Sequence, residues 1–280
     1  MVGAVTAACL ALQPEPSCDV VTTQGGLKAP PYLARMTLLA DNGSCAAVNR
    51  LSVMRLGVQA FIPKGEGGAS LALKPERLVD MRSGRFFRAD VSSTNNCQAA
   101  LEGDPDPQCQ SCTDAEGPNP CRFVDDPIPR VDRTDPTGAK LVGLGGLARR
   151  PESGQCTAVG PFVAEQHFDA ETLGLTDGGT VVFPSLVVRF EFVDVRVRST
   201  ARVPGTVLTA QLSHTEGACT ARYRLEAFYP AVACTRDTDC QSEPRLDAGA
   251  LAGSGFNPLF RPTCDVSSGW CFPSVDVSSL

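Results

Sequence analysis

The stretch Leu186-Val-Val-Arg-Phe-Glu-Phe-Val-Asp-Val-Arg-Val-Arg198 decides the fold. Leu186, Val188, Phe190 and Phe192 fall on one face of an extended chain and Arg189 and Glu191 on the other, the period of two that marks a half-buried strand. From Val193 the phase reverses, so that Val193, Val195 and Val197 form the apolar set with Asp194, Arg196 and Arg198 opposite. A one-residue slip exchanges core and solvent faces, so a β-bulge or a change of sheet is predicted near Phe192-Val193. Leu208, Ala210 and Leu212 continue the alternation, and Ser213-His-Thr-Glu-Gly217 reads as a polar turn. Ala221, Tyr223, Leu225 and Ala227 then alternate with Arg222, Arg224 and Glu226. A hairpin with one wet face is the pattern of an antiparallel sheet.

Working outward, Tyr32 to Pro63 holds two apolar bursts around Asp41-Asn-Gly-Ser44, which is turn chemistry, and so reads as strand, turn, strand. Lys64-Gly-Glu-Gly-Gly68 is a loop, Pro75-Glu-Arg-Leu-Val-Asp80 a single helical turn opened by proline, and Arg85 to Val91 another strand. Gly143-Leu-Gly-Gly146 lacks the further glycine and the acid of a dinucleotide fingerprint and reads as a turn. A weak internal echo places Cys45 and Cys219 each just after a glycine-containing turn, at a predicted strand start, as recurrent hairpin chemistry does. The expected fold is an all-β antiparallel β-sandwich with little helix and with Cys-rich insertions. Its parts are a signal-like segment and tether over 1–17, the sandwich over 18–232 with an insertion at 94–137, and a Cys-rich module over 233–280.

Composition bounds the function. The chain has 280 residues, 42% of them hydrophobic and 20% charged, with a net charge of -6. That hydrophobic content supports a packed core and argues against disorder. No apolar run approaches the roughly 20 residues of a membrane-spanning helix. The acidic balance without a Lys/Arg run excludes nucleic acid as a partner, because such binding rests on neutralising phosphates.

Thirteen cysteines set the compartment. At this density an oxidising environment is implied, where thiols become cross-links. Zinc would need tight thiolate pairs answered by a second pair or by histidines; only Cys109-Gln-Ser-Cys112 has that form, and the two histidines lie far from it. The segment 94–137 carries Cys97, Cys109, Cys112 and Cys121 among Gly, Pro, Asp and Asn, with little to bury, so it needs covalent staples. The odd cysteine has its place at the N-terminus. Met1-Val-Gly-Ala-Val-Thr-Ala-Ala-Cys9 resembles the end of a bacterial lipoprotein signal peptide, with Thr6 where leucine is usual. That resemblance implies a lipidated Cys9, a Pro-containing tether over 10–17 and membrane attachment through the lipid. Twelve cysteines then remain for bridges: Cys18, Cys45, Cys97, Cys109, Cys112, Cys121, Cys156, Cys219, Cys234, Cys240, Cys264 and Cys271.

Near the C-terminus, Cys234-Thr-Arg-Asp-Thr-Asp-Cys240 and Cys264-Asp-Val-Ser-Ser-Gly-Trp-Cys271 enclose a Cys-free stretch. This spacing, with its Asp-x-Asp-Cys, resembles the short Cys-rich modules of myxobacterial-type surface lipoproteins. The resemblance implies an extracytoplasmic location, no catalytic activity, and bridges from Cys234 to Cys264 and from Cys240 to Cys271. Elsewhere the expected pairs are Cys18 with Cys45 and Cys156 with Cys219.

Catalytic signals are sparse. Gly253-Ser-Gly255 lacks the spacing of a nucleophile elbow. His167, in Glu165-Gln-His-Phe-Asp169, and His214, in the expected hairpin turn, are the available bases, and each reads first as a surface or structural residue. Paired carboxylates of the glycosidase kind cannot be singled out among thirty-one acids. Asp104 and Asp106, Asp125 and Asp126, Asp132 and Asp135, and Asp237 and Asp239 offer oxygens for weak calcium binding but match no EF-hand, which favours solvated turn aspartates. Trp270 beside Cys271 reads as packing over a disulfide before it reads as a glycan platform. The expectation is therefore a lipid-anchored or secreted protein of the outer membrane or cell surface, binding or structural in role, without catalysis or cofactor. A binding role would take a glycan or protein ligand; the alternatives are a secreted hydrolase of glycans or esters and a self-assembling surface subunit.

Overall fold

Asp194 marks the predicted break. It has φ 52° in the middle of a long strand, and the pairing register shifts there by one residue. Val193 and Asp194 consequently both face solvent, while Phe192 and Val195 on either side are buried. The expected phase change is thus a bulge, but Val193 falls on the outer face and not with Val195 and Val197.

The computed structural model describes residues 18, 20–22, 31–45, 50–63, 68–83, 132–174, 180–243 and 253–277. Its elements are β1 (Tyr32–Asp41), β2 (Val53–Phe61), β3 (Ala69–Pro75), α1 (Glu76–Ser83), β4 (Gly143–Leu147), β5 (Gln155–Val159) and β6 (Phe162–Phe168). There follow β7 (Glu171–Gly174), β8 (Thr180–Phe183), β9 (Leu186–Ser199), β10 (Pro204–Glu216), β11 (Cys219–Phe228), β12 (Pro262–Asp265) and β13 (Trp270–Pro273). No helix among these residues is long and apolar enough to cross a membrane.

The all-β antiparallel class is as expected, with little helix. The layers, however, are opposite walls of one sheet and not two separate sheets. Nine strands pair in the order β10-β11-β1-β2-β3-β4-β5-β9-β6, and β9 also pairs with β10, which joins the ends. Strands β5 and β6 run the same way along one edge of β9, β5 against Arg196–Arg198 and β6 against Leu186–Phe192, so together they act as a single kinked strand. Counting them as one, the sheet closes as an eight-stranded up-and-down ring. Such a ring has an interior just wide enough for side chains to fill. Alternate residues of every strand meet inside, among them Tyr32, Leu56, Leu71, Phe162, Phe190 and Phe192, all fully buried.

The filling requires small residues somewhere, and β4 supplies them. A Cβ on Gly145 would sit 2.5 Å from Phe162 Cζ, and one on Gly143 would meet the Phe162 backbone at 2.8 Å. Gly143-Leu-Gly-Gly146, read from sequence as a turn, is therefore a strand whose inward glycines admit the Phe162 ring.

Each end of the ring is closed. At the first end, residues 18 and 20–22 lie across the opening: Tyr32 Oη lies within hydrogen-bond distance of the carbonyls of Val21 and Gly205, and Val20 and Val21 pack on the core. At the second, α1 inserts Leu78 and Met81, and Arg77 grips Glu216 through Nε at 3.2 Å and Nη2 at 2.8 Å. The helical turn expected at 75–80 is this helix, two turns long. Residues 231–243 and 253–277 pack against the outer face of β1, β10 and β11, where Leu33, Val207 and Phe228 share a second apolar cluster with Phe256, Phe260 and Phe272. Arg35 stacks across Phe228 and Phe272 at that boundary.

Candidate functional site

Four disulfides lie among the described residues. Cys234–Cys264 and Cys240–Cys271 form within the C-terminal segment, as the resemblance implied. The other two correct the expectation: Cys18 bonds Cys156 and Cys45 bonds Cys219. Ring closure is the reason. Strands β1 and β11 are neighbours, so the turn after β1 meets the turn before β11. Asn42 fixes that meeting, its N–H donating to Thr220 O at 3.0 Å and its Nδ2 to Ala218 O at 2.8 Å. The two echoing turns are thus partners in space; Cys45 precedes β2 by several residues and does not begin a strand. Sulfur atoms of Cys234, Cys240 and Cys271 lie within 4.8 Å of one another, but each is consumed in a disulfide and is no thiolate ligand. Cys9, Cys97, Cys109, Cys112 and Cys121 lie outside the described residues, as do Asp104, Asp106, Asp125, Asp126 and the strand expected at 85–91.

The histidines are placed differently from each other. His167 is on the outer wall of β6, its Nε2 2.6 Å from Glu165 Oε1. Glu165 also accepts from Arg189, which reaches on to Glu191, so a row of alternating charges crosses from β6 to β9. Burial alone would raise the Glu165 carboxyl, but the hydrogen bonds from His167 and Arg189 outweigh it and hold it low. Among the described residues no hydroxyl or thiol is hydrogen-bonded to the His167 ring. His214 is not in a turn: the strand runs on to Glu216, and the reversal falls at Gly217-Ala218. The polar run Ser213 to Glu216 keeps the alternation, with His214 facing the core.

There the His214 ring is fully buried, 4.6 Å from the Phe190 ring, and neither nitrogen makes a hydrogen bond. Burial, then the Arg77 charge, push it down to about 3. Glu216 Oε2, 3.5 Å from Nε2, would favour a proton, but its charge is already taken up by Arg77.

Asp132 and Asp135 form a second polar centre. Strands β4 and β6 diverge, and the loop 132–141 fills the seam between them. Asp132 Oδ2 accepts the His167 N–H at 2.8 Å, while Oδ1 accepts from the Thr134 hydroxyl and from the amides of Thr134 and Asp135. Asp135 accepts from the amides of Ala139 and Lys140 and from Gln166 Nε2 at 2.9 Å, and Arg82 of α1 donates to its carbonyl at 2.7 Å. Desolvation works against both charges, yet the donors win and both carboxyls sit below the ordinary range. These are buried pins, not the solvated aspartates expected. Gln166 was legible as an anomaly, a polar residue at an inward position between Ala164 and Phe168. Arg82 carried no such signal.

In the C-terminal segment Asp237 Oδ1 accepts the Cys264 N–H at 2.8 Å, and Asp239 is brought down to about 2 by the Thr235 amide and hydroxyl and by Arg236. Trp270 is buried in the cluster that holds Cys234, Cys240 and Cys271, and lines a narrow cleft of about 20 Å³ with Arg55, Glu76, Arg77 and Asp80. A cleft of about 90 Å³ between Arg196, Arg198, Glu226 and Asp276 is likewise far below the roughly 300–1,000 Å³ of sites that enclose small molecules.

The geometry defines a class: a closed antiparallel β-ring, plugged at both ends, filled with side chains and tied by disulfides between distant segments. Residues 129–230, from just before the seam loop to the residues after β11, match the model of the MlpA family. A Myxococcus xanthus protein named "Putative lipoprotein MlpA" is 39% identical over 98 residues, which are 33% of this chain and 39% of the relative. The match thus spans about two fifths of that relative's length. No solved structure matches the chain. These matches support the likeness to myxobacterial-type lipoproteins, and the family match covers 129–230 and not the C-terminal Cys-rich residues that first carried the resemblance.

Proposed function

We propose that this chain is an extracytoplasmic protein of the cell envelope, held to a membrane by a lipid on Cys9, with a binding or structural role. The observation that carries the reading is the covalent one: Cys18–Cys156 and Cys45–Cys219 span 138 and 174 residues and join the two ends of the ring to sequence-distant partners. Bonds of that kind form and persist outside a reducing cytoplasm. The name of the Myxococcus relative supports the same address. An interior filled with aromatic and aliphatic side chains leaves the outer walls as the working surface. The closed main sheet offers few free strand edges for assembly, and the seam beside β6 is covered by the 132–141 loop.

Intact-mass measurement on protein taken from its native envelope tests the reading. Before and after reduction the mass should differ by two hydrogens per bridge, for at least four bridges. The N-terminal peptide should begin at an acylated Cys9. Free thiols at these positions, or a Cys9 without acyl groups, would overturn the proposal.

A further inference from the structure

Four of the exposed large apolar side chains gather on one wall. Phe61 pairs across the sheet with Ser70, Ser70 with Gly146, and Gly146 with Val159, so these positions form one row over β2, β3, β4 and β5. Leu144 is two residues from Gly146 and shares its face, and Ile62 follows Phe61. Phe61, Ile62, Leu144 and Val159 are 46, 48, 64 and 69% exposed. Serine and glycine stand between them, so no long or charged side chain of the row shields them. Contiguous apolar surface of this kind marks a contact site.

The same corner is where the N-terminal segment enters the fold. The Cys18 N–H donates to Arg149 O at 3.0 Å, and Arg149 Nη2 donates to Pro63 O at 3.2 Å, one residue beyond Ile62. The entry point, the β4–β5 tip and the end of β2 are therefore fastened together. Cys9 precedes Cys18 by nine residues, which span at most about 30 Å. Arg149 and Arg150 are exposed on that tip, where cations suit the phosphates of a lipid headgroup layer.

We propose that the Phe61, Ile62, Leu144 and Val159 row, with the arginines of its rim, is a membrane-facing surface that lies against the bilayer to which Cys9 is tethered. The inference rests on the lipid-anchor reading for its orientation. The tether keeps the patch at high local concentration beside the lipid, so a weak intrinsic affinity suffices to orient the ring. Aromatic and aliphatic side chains insert at the headgroup boundary, and the guanidinium groups remain at the phosphates.

The test uses the full 280-residue chain carrying Cys9→Ser, so that no acyl chain contributes, and vesicles of phosphatidylethanolamine and phosphatidylglycerol at 3:1. This chain should co-sediment with the vesicles in a salt-sensitive way, and Phe61→Asp with Val159→Asp should weaken that binding about tenfold. Val187→Asp, an exposed position near the other end of the ring, should leave it unchanged. Thermal unfolding of each variant confirms that it is folded. No binding by the Cys9→Ser chain, or equal binding with and without the two aspartates, overturns the proposal. So does a dimer in sedimentation equilibrium that Val159→Asp dissolves, since the patch would then meet a second copy. An acylated native protein whose patch variants behave like the parent refutes this surface and keeps the anchor; patch-dependent binding with no native acyl group refutes the anchor alone.

Discussion

His214 is neutral in the folded protein because a charged ring would sit buried against Phe190, and the one nearby carboxylate, Glu216, is already engaged by Arg77. The unfolded chain has no such constraint and protonates near pH 6.5. Since the folded value is depressed to about 3, stability is complete above the unfolded value and is lost as pH falls from about 6.5 toward 3, at about 1.4 kcal/mol per unit. His214→Leu removes the titration and two unsatisfied nitrogens together. Urea unfolding between pH 7.5 and 4.5 should show a variant at least as stable as the parent at the upper end and nearly flat across the range, while the parent declines; matching slopes would refute the assignment. The window is separate from that of Asp132 and Asp135, whose depressed values place their contribution above the usual carboxylate range and its loss below about pH 4. His214 was misread from sequence because a run of polar residues looks like a turn, whereas a strand tolerates serine and threonine on its wet face and here runs on to Glu216, four residues past Leu212.

At the scale of elements, the seam between β4 and β6 distinguishes this ring from a regular one. Inward glycines let β4 carry the Phe162 ring, and the strand edge of β6 is left to the 132–141 loop. Asp132 accepts from an amide of β6 and from amides of the loop itself, so Asp132→Ala orphans the His167 and Thr134 N–H groups at once, while the Asp135 N–H keeps the Asp132 carbonyl. Loss of about 3 kcal/mol or more is expected from buried donors left unpaired. Hydrogen exchange should show early opening at His167 relative to the β9–β10 ladder. Uniform exchange across β6 and β10 would mean that the loop is not what seals the seam. Strands with strict alternation, β9 and β11 above all, were legible in the sequence, and so was the bulge near Phe192. A glycine-rich strand was not, because its reason for being glycine is an aromatic ring nineteen residues away from Gly143.

For the whole molecule, the decisive fact is which ends meet. The resemblance to short Cys-rich modules was enough for the C-terminal bridges, whose partners lie 30 and 31 residues apart in a segment that folds on itself. The other two bridges depend on β9 meeting both β10 and the β5–β6 strand, and on β11 meeting β1, contacts that no local pattern encodes. This difference has a measurable consequence. Closing 138 residues constrains the unfolded chain by about 5 kcal/mol on loop entropy, against about 4 kcal/mol for 30 residues. Because Cys18 also brings Val20 and Val21 over the open end of the ring, its bridge secures part of the plug as well. Cys18→Ser with Cys156→Ser should therefore lower the thermal midpoint more than Cys234→Ser with Cys264→Ser, and should expose Tyr32 to solvent quenchers while leaving the packing of Trp270 intact. The Cys234 and Cys264 pair should do the reverse, disturbing Trp270 fluorescence with little change at Tyr32. If both variants loosen both aromatic sites equally, the ring and the C-terminal segment unfold as one cooperative unit, and the separate roles assigned to the two sets of bridges fail.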